Sequence, residues 1–143
     1  MKPSLIKGGM AVDDRGPLSF VNGVDFSKVK RCYMVENFST KTIRGLHGHL
    51  KEEKYAFVVS GAAIIIVFPM KSDKTLGQGF TRFVLSAAEP QVLHIPAVYA
   101  NGFRCLTEGT RILFFSTSTL EESKGDDFRF PVPDIDIWRV VNR

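Results

Sequence analysis

The stretch RGLHGHLKEEKYAFVVSG, residues 44–61, holds two of the chain's three histidines, then two glutamates, a lysine and an apolar run ending at a glycine. Side chains on a strand alternate faces, so His47 and His49 share one side. Arg44 has the opposite parity unless a bulge at Gly45 re-aims it, which glycine permits. Downstream, YAFVVSG (55–61) and AAIIIVF (62–68) surround a Ser-Gly turn, and Pro69 closes the second run. Two such runs about a turn read as paired strands.

The same pattern extends in both directions. CYMVENF (32–38) and KTIRGLHGHL (41–50) flank a turn at Ser39-Thr40, and TRFVLSA (81–87), QVLHIP (91–96), GFRCLTE (102–108) and RILFFSTST (111–119) follow. Short strands at this spacing, separated by Gly, Pro or polar pairs, predict a sandwich or barrel. STLEESK (118–124) is the one stretch with helical character, about two turns at most. FRFPVPDIDIW (128–138) carries two prolines and is expected to be an extended wrap, not a core strand. Phe20, Phe57, Phe68, Phe83, Phe114 and Phe115 are the expected aromatic core. The expectation is one all-β domain spanning residues 1–143, with little helix.

Bulk properties narrow the function. At 44% hydrophobic and 24% charged residues the 143-residue chain is an ordinary globular sequence, which excludes disorder and coiled coil. The longest apolar stretch, AFVVSGAAIIIVFP (56–69), is short for a membrane span and broken by Ser60-Gly61. MKPSLIKGGMAVDD at the start lacks the apolar centre of a signal peptide, so a cytoplasmic protein is expected. Cys32 and Cys105, few and far apart, suggest reduced thiols. The net charge of +4 is scattered, which argues against nucleic acid and suits a small diphosphate-bearing ligand.

The HxH pattern leaves three readings open: a metal site, a general base with a helper, or two polar side chains on an outer sheet face. A metal needs three or four ligands. His47, His49 and Glu53 resemble the first metal motif of the cupins, but the later position where another histidine belongs holds Asn101, and His94 falls in a different layer. No metal is therefore expected. As a base, a neutral histidine can remove a proton next to a ketone. The resulting enolate oxygen needs a cation, and Arg44 and Lys54 are the candidates.

RGLHGHLKEEKYAFVVSG (44–61), DDRG (13–16), ENFS (36–39), LHIPAVYANGF (93–103) and DDFRFPVPDIDIW (126–138) together resemble the nucleotide-sugar cupins related to dTDP-4-dehydrorhamnose 3,5-epimerase. The resemblance runs in order along nearly the whole chain. It implies a cupin jelly-roll, or double-stranded β-helix, often a dimer exchanging N-terminal strands. It also implies action on a dTDP-linked or similar 4-keto-6-deoxy sugar, without metal or organic cofactor, in making a surface-polysaccharide precursor such as that of lipopolysaccharide. Carried over by position, His47 is the base, Arg44 lies close to it, Lys54 holds the enolate, and Arg15 binds diphosphate across the dimer. Asn37, Tyr99, Asn101 and Arg104, from the matching segments, join Arg15 as candidate substrate-binding residues.

Two departures stand out. The family's proton-donor tyrosine is replaced by Thr119-Leu120, with Tyr33, Tyr55 and Tyr99 as alternatives. The aspartate that holds the base belongs to a C-terminal segment with no counterpart expected among these residues; Asp134 and Asp136 are the candidate substitutes, while Asp126-Asp127 reads as a solvated loop pair. A second resemblance, to the sugar 3,4-ketoisomerases, rests on RGxHxH followed by lysine. Eleven residues separate His49 from Gly61, as in that group. It implies that His47 and His49 work as base and acid. A cupin that binds a sugar nucleotide without turning it over is the third reading.

Overall fold

The computed structural model describes residues 1–132 and 135–143, Ile135 by its backbone alone. The strands are β1 (Ser4–Lys7), β2 (Gly9–Asp13), β3 (Gly16–Phe20), β4 (Arg31–Glu36), β5 (Ile43–His49) and β6 (Lys54–Ser60). They continue with β7 (Ala62–Pro69), β8 (Thr81–Ser86), β9 (Gln91–Ile95), β10 (Tyr99–Cys105), β11 (Arg111–Ser116) and β12 (Phe128–Arg129). One five-stranded antiparallel sheet has the order β1-β9-β6-β11-β4; the other has β12-β5-β10-β7-β8. Strands β2 and β3 form a separate hairpin. The architecture is all-β, as the alternating pattern implies, and the eight strands from β4 to β11 overlap the runs read from sequence, although β10 begins at Tyr99, three residues before the run read at 102–108.

Alternation drives the sheets together. Ala56, Val58, Ala63, Ile65, Val67, Leu93, Phe103, Ile112 and Phe114 project between them into one core. On the outer face of the second sheet, Ile64 and Ile66 are covered by Trp138, which is fully buried. The C-terminal stretch therefore wraps the sheet, ending in a 3-10 turn over Ile135–Trp138. The one α-helix among the described residues, α1 (Leu120–Lys124), starts at Thr119, whose hydroxyl accepts the Glu122 amide at 3.2 Å. No helix among the described residues is long and apolar enough to cross a membrane.

Some expectations need correction. The N-terminal strands β1 to β3 carried no strong signal of their own. Of the predicted core phenylalanines, Phe114 is buried, but Phe20 is 37% exposed on the hairpin. Phe115 packs edge-on against Phe26, with ring centroids 4.9 Å apart. Both belong to the second face of a strand, which alternation leaves outside the core.

The feature that matters most for the site is a bulge. On β10, Asn101 pairs with His47 and Phe103 with Arg44, so two residues of β5 oppose Gly102 alone. The extra residue reverses parity, and Arg44 and His47 consequently face the same cavity. Gly102 makes this possible: a Cβ there would lie 2.8 Å from the Arg44 carbonyl oxygen and 3.0 Å from Gly45 Cα.

Candidate functional site

A cleft of about 170 Å³ opens between the two sheets. The first sheet contributes Tyr33 and Val35 from β4, Lys54 from β6 and Phe114 from β11. The second contributes Arg44 and His47 from β5 and Asn101 and Phe103 from β10. Its size falls below the roughly 300–1,000 Å³ of sites that enclose a drug-sized ligand, so it suits a single sugar ring. One part is cationic and polar; Val35, Phe103 and Phe114 make an apolar remainder.

His47 lies at the open side of the cleft with 40% of its side chain exposed, and its Nδ1 is 3.4 Å from Asp127 Oδ1. Burial holds its pKa below the usual 6.5; Asp127 opposes this, while Lys54 and Arg129 add to it. The imidazole is therefore neutral at pH 7, with Nδ1 toward the carboxylate, the state required of a base.

Asp127 was missed as a site residue, and the reading of Asp126-Asp127 as a solvated pair is corrected by the structure. Strand β12 pairs with β5, placing Phe128 opposite Gly48 and Arg129 opposite His47, so the residue before β12 arrives beside the histidines. Asp126 is buried and accepts three backbone N–H bonds, from Leu50 at 2.8 Å, Lys51 at 2.9 Å and Glu52 at 3.0 Å. Those bonds fasten the β5–β6 loop to the C-terminal segment. The proposed substitute Asp134 lies outside the described residues, and Asp136 pairs with Arg139 at 3.2 Å.

Lys54 is buried at the cleft wall, and desolvation pulls its pKa down against the attraction of Glu52 and Asp127. Arg44 donates from Nε to Asn37 Oδ1 at 2.7 Å. Asn37, itself buried, donates in turn to Cys105 Sγ at 3.6 Å, so it orients Arg44 from behind. Asn101 is buried in the cleft opposite His47 in register.

His49 shares parity with His47 but is only 6% exposed and lies outside the cleft lining, 2.9 Å from Glu52 Oε2 and 3.8 Å from Asp127 Oδ1. Glu53 turns to the other sheet, where its Oε1 is 2.7 Å from His94 Nε2. The combination of His47, His49 and Glu53 is therefore not assembled, and His94 belongs to a different layer, as its position in sequence implies. Tyr55 stacks on His94 at 4.7 Å, away from the cleft.

Tyr33 occupies the wall opposite His47. Its ring stacks on Phe114 at 5.3 Å and carries the Arg31 guanidinium 5.0 Å above it. Burial, reinforced by the negative charge of Glu52, pushes its pKa up to about 12, so the hydroxyl keeps its proton.

Besides His49 and Asn37, three further candidates lie outside the cleft lining. Arg104 donates to the carbonyls of Thr40 at 2.9 Å and Trp138 at 2.8 Å, pinning the C-terminal wrap. Tyr99 faces a different depression lined by Lys2, Pro3 and Phe80. Arg15 sits at the tip of the β2–β3 hairpin, 86% exposed and paired with Asp13 at 2.5 Å.

Similarity to known proteins follows the same lines. The family model for dTDP-4-dehydrorhamnose 3,5-epimerase matches residues 19–142. The chain belongs to the dTDP-4-dehydrorhamnose 3,5-epimerase family. This family of isomerases and epimerases has the jelly-roll seen here. The chain is similar in structure to the Bacillus anthracis dTDP-4-dehydrorhamnose 3,5-epimerase solved with TDP and pyrophosphate bound. That match has a TM-score of 0.79 and 23% identity, covering 98% of this chain and 86% of the other. Its similarity to QdtA, a sugar 3,4-ketoisomerase from Thermoanaerobacterium thermosaccharolyticum in complex with TDP, has a TM-score of 0.71 at 20% identity, over 96% and 91% of the two chains. The spore coat polysaccharide biosynthesis protein SpsL of Bacillus subtilis is 29% identical over 94 residues, 64% of this chain. This chain spans 62% of that relative's length.

Proposed function

We propose that this epimerase-family chain is a metal-independent isomerase of a nucleotide-linked, dTDP-type 4-keto-6-deoxy sugar, starting with proton removal next to the ketone by His47. The observation that carries the reading is the placement of His47, backed by Asp127 at Nδ1, in one cleft with Lys54 and Arg44. His47 takes the proton from the carbon alpha to the carbonyl. The carbonyl oxygen gains negative charge as the enolate forms, and the buried Lys54 ammonium stabilises it, helped by Arg44. Electrostatic stabilisation of this kind is strong because the cation is fixed beforehand in a partly dry site.

Tyr33, on the opposite wall and protonated, is placed to return a proton to the other face of the ring, which inverts the centre. That arrangement favours epimerisation. A 3,4-ketoisomerase acting through a His47/His49 pair is the second reading, supported by the HxH motif; the enclosure of His49 behind Glu52 weighs against direct contact with a substrate. Val35, Phe103 and Phe114 offer an apolar wall to a methyl group at C6.

The proposal extends to a cytoplasmic homodimer making a surface-polysaccharide precursor. Val12 and Leu18 of the hairpin are 72% and 66% exposed, and covering them with a second copy would bring Arg15 toward that copy's cleft as a diphosphate ligand. Light scattering checks the dimer. The test of the chemistry is proton NMR of dTDP-4-keto-6-deoxyglucose in heavy water. Deuterium entering at C3 or C5 with the ketone still at C4 supports epimerisation. Deuterium at C3 with the ketone moved supports ketoisomerisation. Binding without exchange rejects this sugar as the substrate, in favour of a different nucleotide sugar or a binding-only cupin.

A further inference from the structure

The buried carboxylate of Glu52 has no part in the proposed proton transfer, yet it touches more of the site's charged groups than any residue in the cleft. Its side chain is fully enclosed. Oε1 accepts from Ser116 Oγ at 2.5 Å and from Arg31 Nη2 at 3.1 Å. Oε2 faces His49 Nε2 at 2.9 Å and Lys54 Nζ at 4.0 Å. Beyond His49 lies Asp127 Oδ1 at 3.8 Å, the same oxygen that stands 3.4 Å from His47 Nδ1. Asp126 fixes where this begins, because it holds the Glu52 amide and so turns the loop inward.

We infer that Glu52 is a positioning residue that keeps the Lys54 ammonium charged in the cleft. The inference rests on the proposed role of Lys54. An enclosed carboxylate is tolerated only when paired and hydrogen-bonded, and all four of Glu52's partners are cationic, ionisable or hydroxyl groups. A buried lysine beside a removed carboxylate loses its proton more easily, since desolvation then acts without that opposing charge. Lys54 is faced by Glu52 from the β5–β6 loop, Asp127 before β12, Arg31 and Tyr33 on β4, and Arg44 and His47 on β5. Arg31 works against its charge, and Asp127 is the other anion supporting it. Glu52 is the leading one of the two.

The experiment is a titration of the ligand-free protein labelled with ¹³C at lysine Cε, the Lys54 signal being assigned by its loss in Lys54→Arg. In Glu52→Gln the Lys54 midpoint falls by about one pH unit or more. With dTDP-4-keto-6-deoxyglucose, kcat falls by about tenfold or more at unchanged KM, and the alkaline limb of the kcat/KM profile moves to lower pH. A folded Glu52→Gln protein with an unmoved Lys54 midpoint overturns the inference. If that variant does not fold, Glu52→Asp, which withdraws the carboxylate from Lys54 by one methylene, is read the same way: a lowered Lys54 midpoint supports the inference, an unmoved one overturns it. Because the titration needs no turnover, it decides the role of Glu52 even if the sugar proves not to be a substrate.

Discussion

Replacing Gly102 by alanine tests whether the β5 bulge builds the site. The added methyl would lie 2.8 Å from the Arg44 carbonyl oxygen, 3.0 Å from Gly45 Cα and 3.1 Å from Leu46 Cδ2. Two of those contacts are backbone, which cannot swing aside as a side chain tip can. Overpacking of this sort costs about 1–3 kcal/mol, and the alanine's smaller unfolded-state entropy returns about 0.4–1 kcal/mol. The net loss of about 1–2 kcal/mol lowers the melting temperature by about 3–7 °C for a chain of this size. Relief of the clash shifts the β5 backbone at Arg44, so activity falls by about tenfold or more as cation and base separate. Gly45→Ala is the control. Its new Cβ meets nothing closer than 3.7 Å, and its φ is not in the left-handed region, so stability and activity stay near wild type. Thermal unfolding by circular dichroism and an exchange assay read both variants. Equal damage from the two substitutions, or none from Gly102→Ala, would refute the assignment of the bulge.

Other outcomes follow from single contacts. Asp126→Ala strips three backbone N–H groups of their acceptor and should lower stability by about 3–5 kcal/mol in urea unfolding, since charge-assisted bonds contribute about 1.5–3 kcal/mol each but do not add fully. The acid limb of kcat/KM should lie below pH 6.5, because burial lowers the His47 pKa and a base loses function only as pH falls through its own folded value. A limb at or above 7 would contradict this. Val98 adopts φ of 69°, an unfavourable left-handed conformation for a β-branched residue, so Val98→Gly should raise stability by about 1 kcal/mol in the same unfolding assay.

Much of this was legible because strands announce themselves through alternation and glycine. The runs around Gly61 located the β6–β7 hairpin, and the Gly45 bulge was foreseeable as the one way to bring Arg44 and His47 to the same side. The carboxylates were harder to read. Asp127 reaches His47 across some eighty residues of sequence, through the short β12–β5 pairing that a proline-rich tail conceals. Glu52 looks like one of two adjacent loop acids, and only the Asp126 bonds to the loop amides explain why it points inward and Glu53 outward. Arg104 and Tyr99 came from segments that do border the site; strand parity and the C-terminal wrap turn Arg104 away, whereas Tyr99 shares the parity of Asn101 and Phe103 but sits at the far end of β10, beside another depression. The hairpin carrying Arg15 is short and exposed, and a single chain gives it no partner to read against.

The central claim is that His47 removes the proton next to the ketone. It is tested most directly by comparing wild type and His47→Asn for deuterium uptake into dTDP-4-keto-6-deoxyglucose in heavy water, with TDP affinity measured alongside. The account predicts uptake by wild type, a loss of about a thousandfold or more in the variant and TDP binding within about threefold of wild type. Uptake by His47→Asn at the wild-type rate would contradict it.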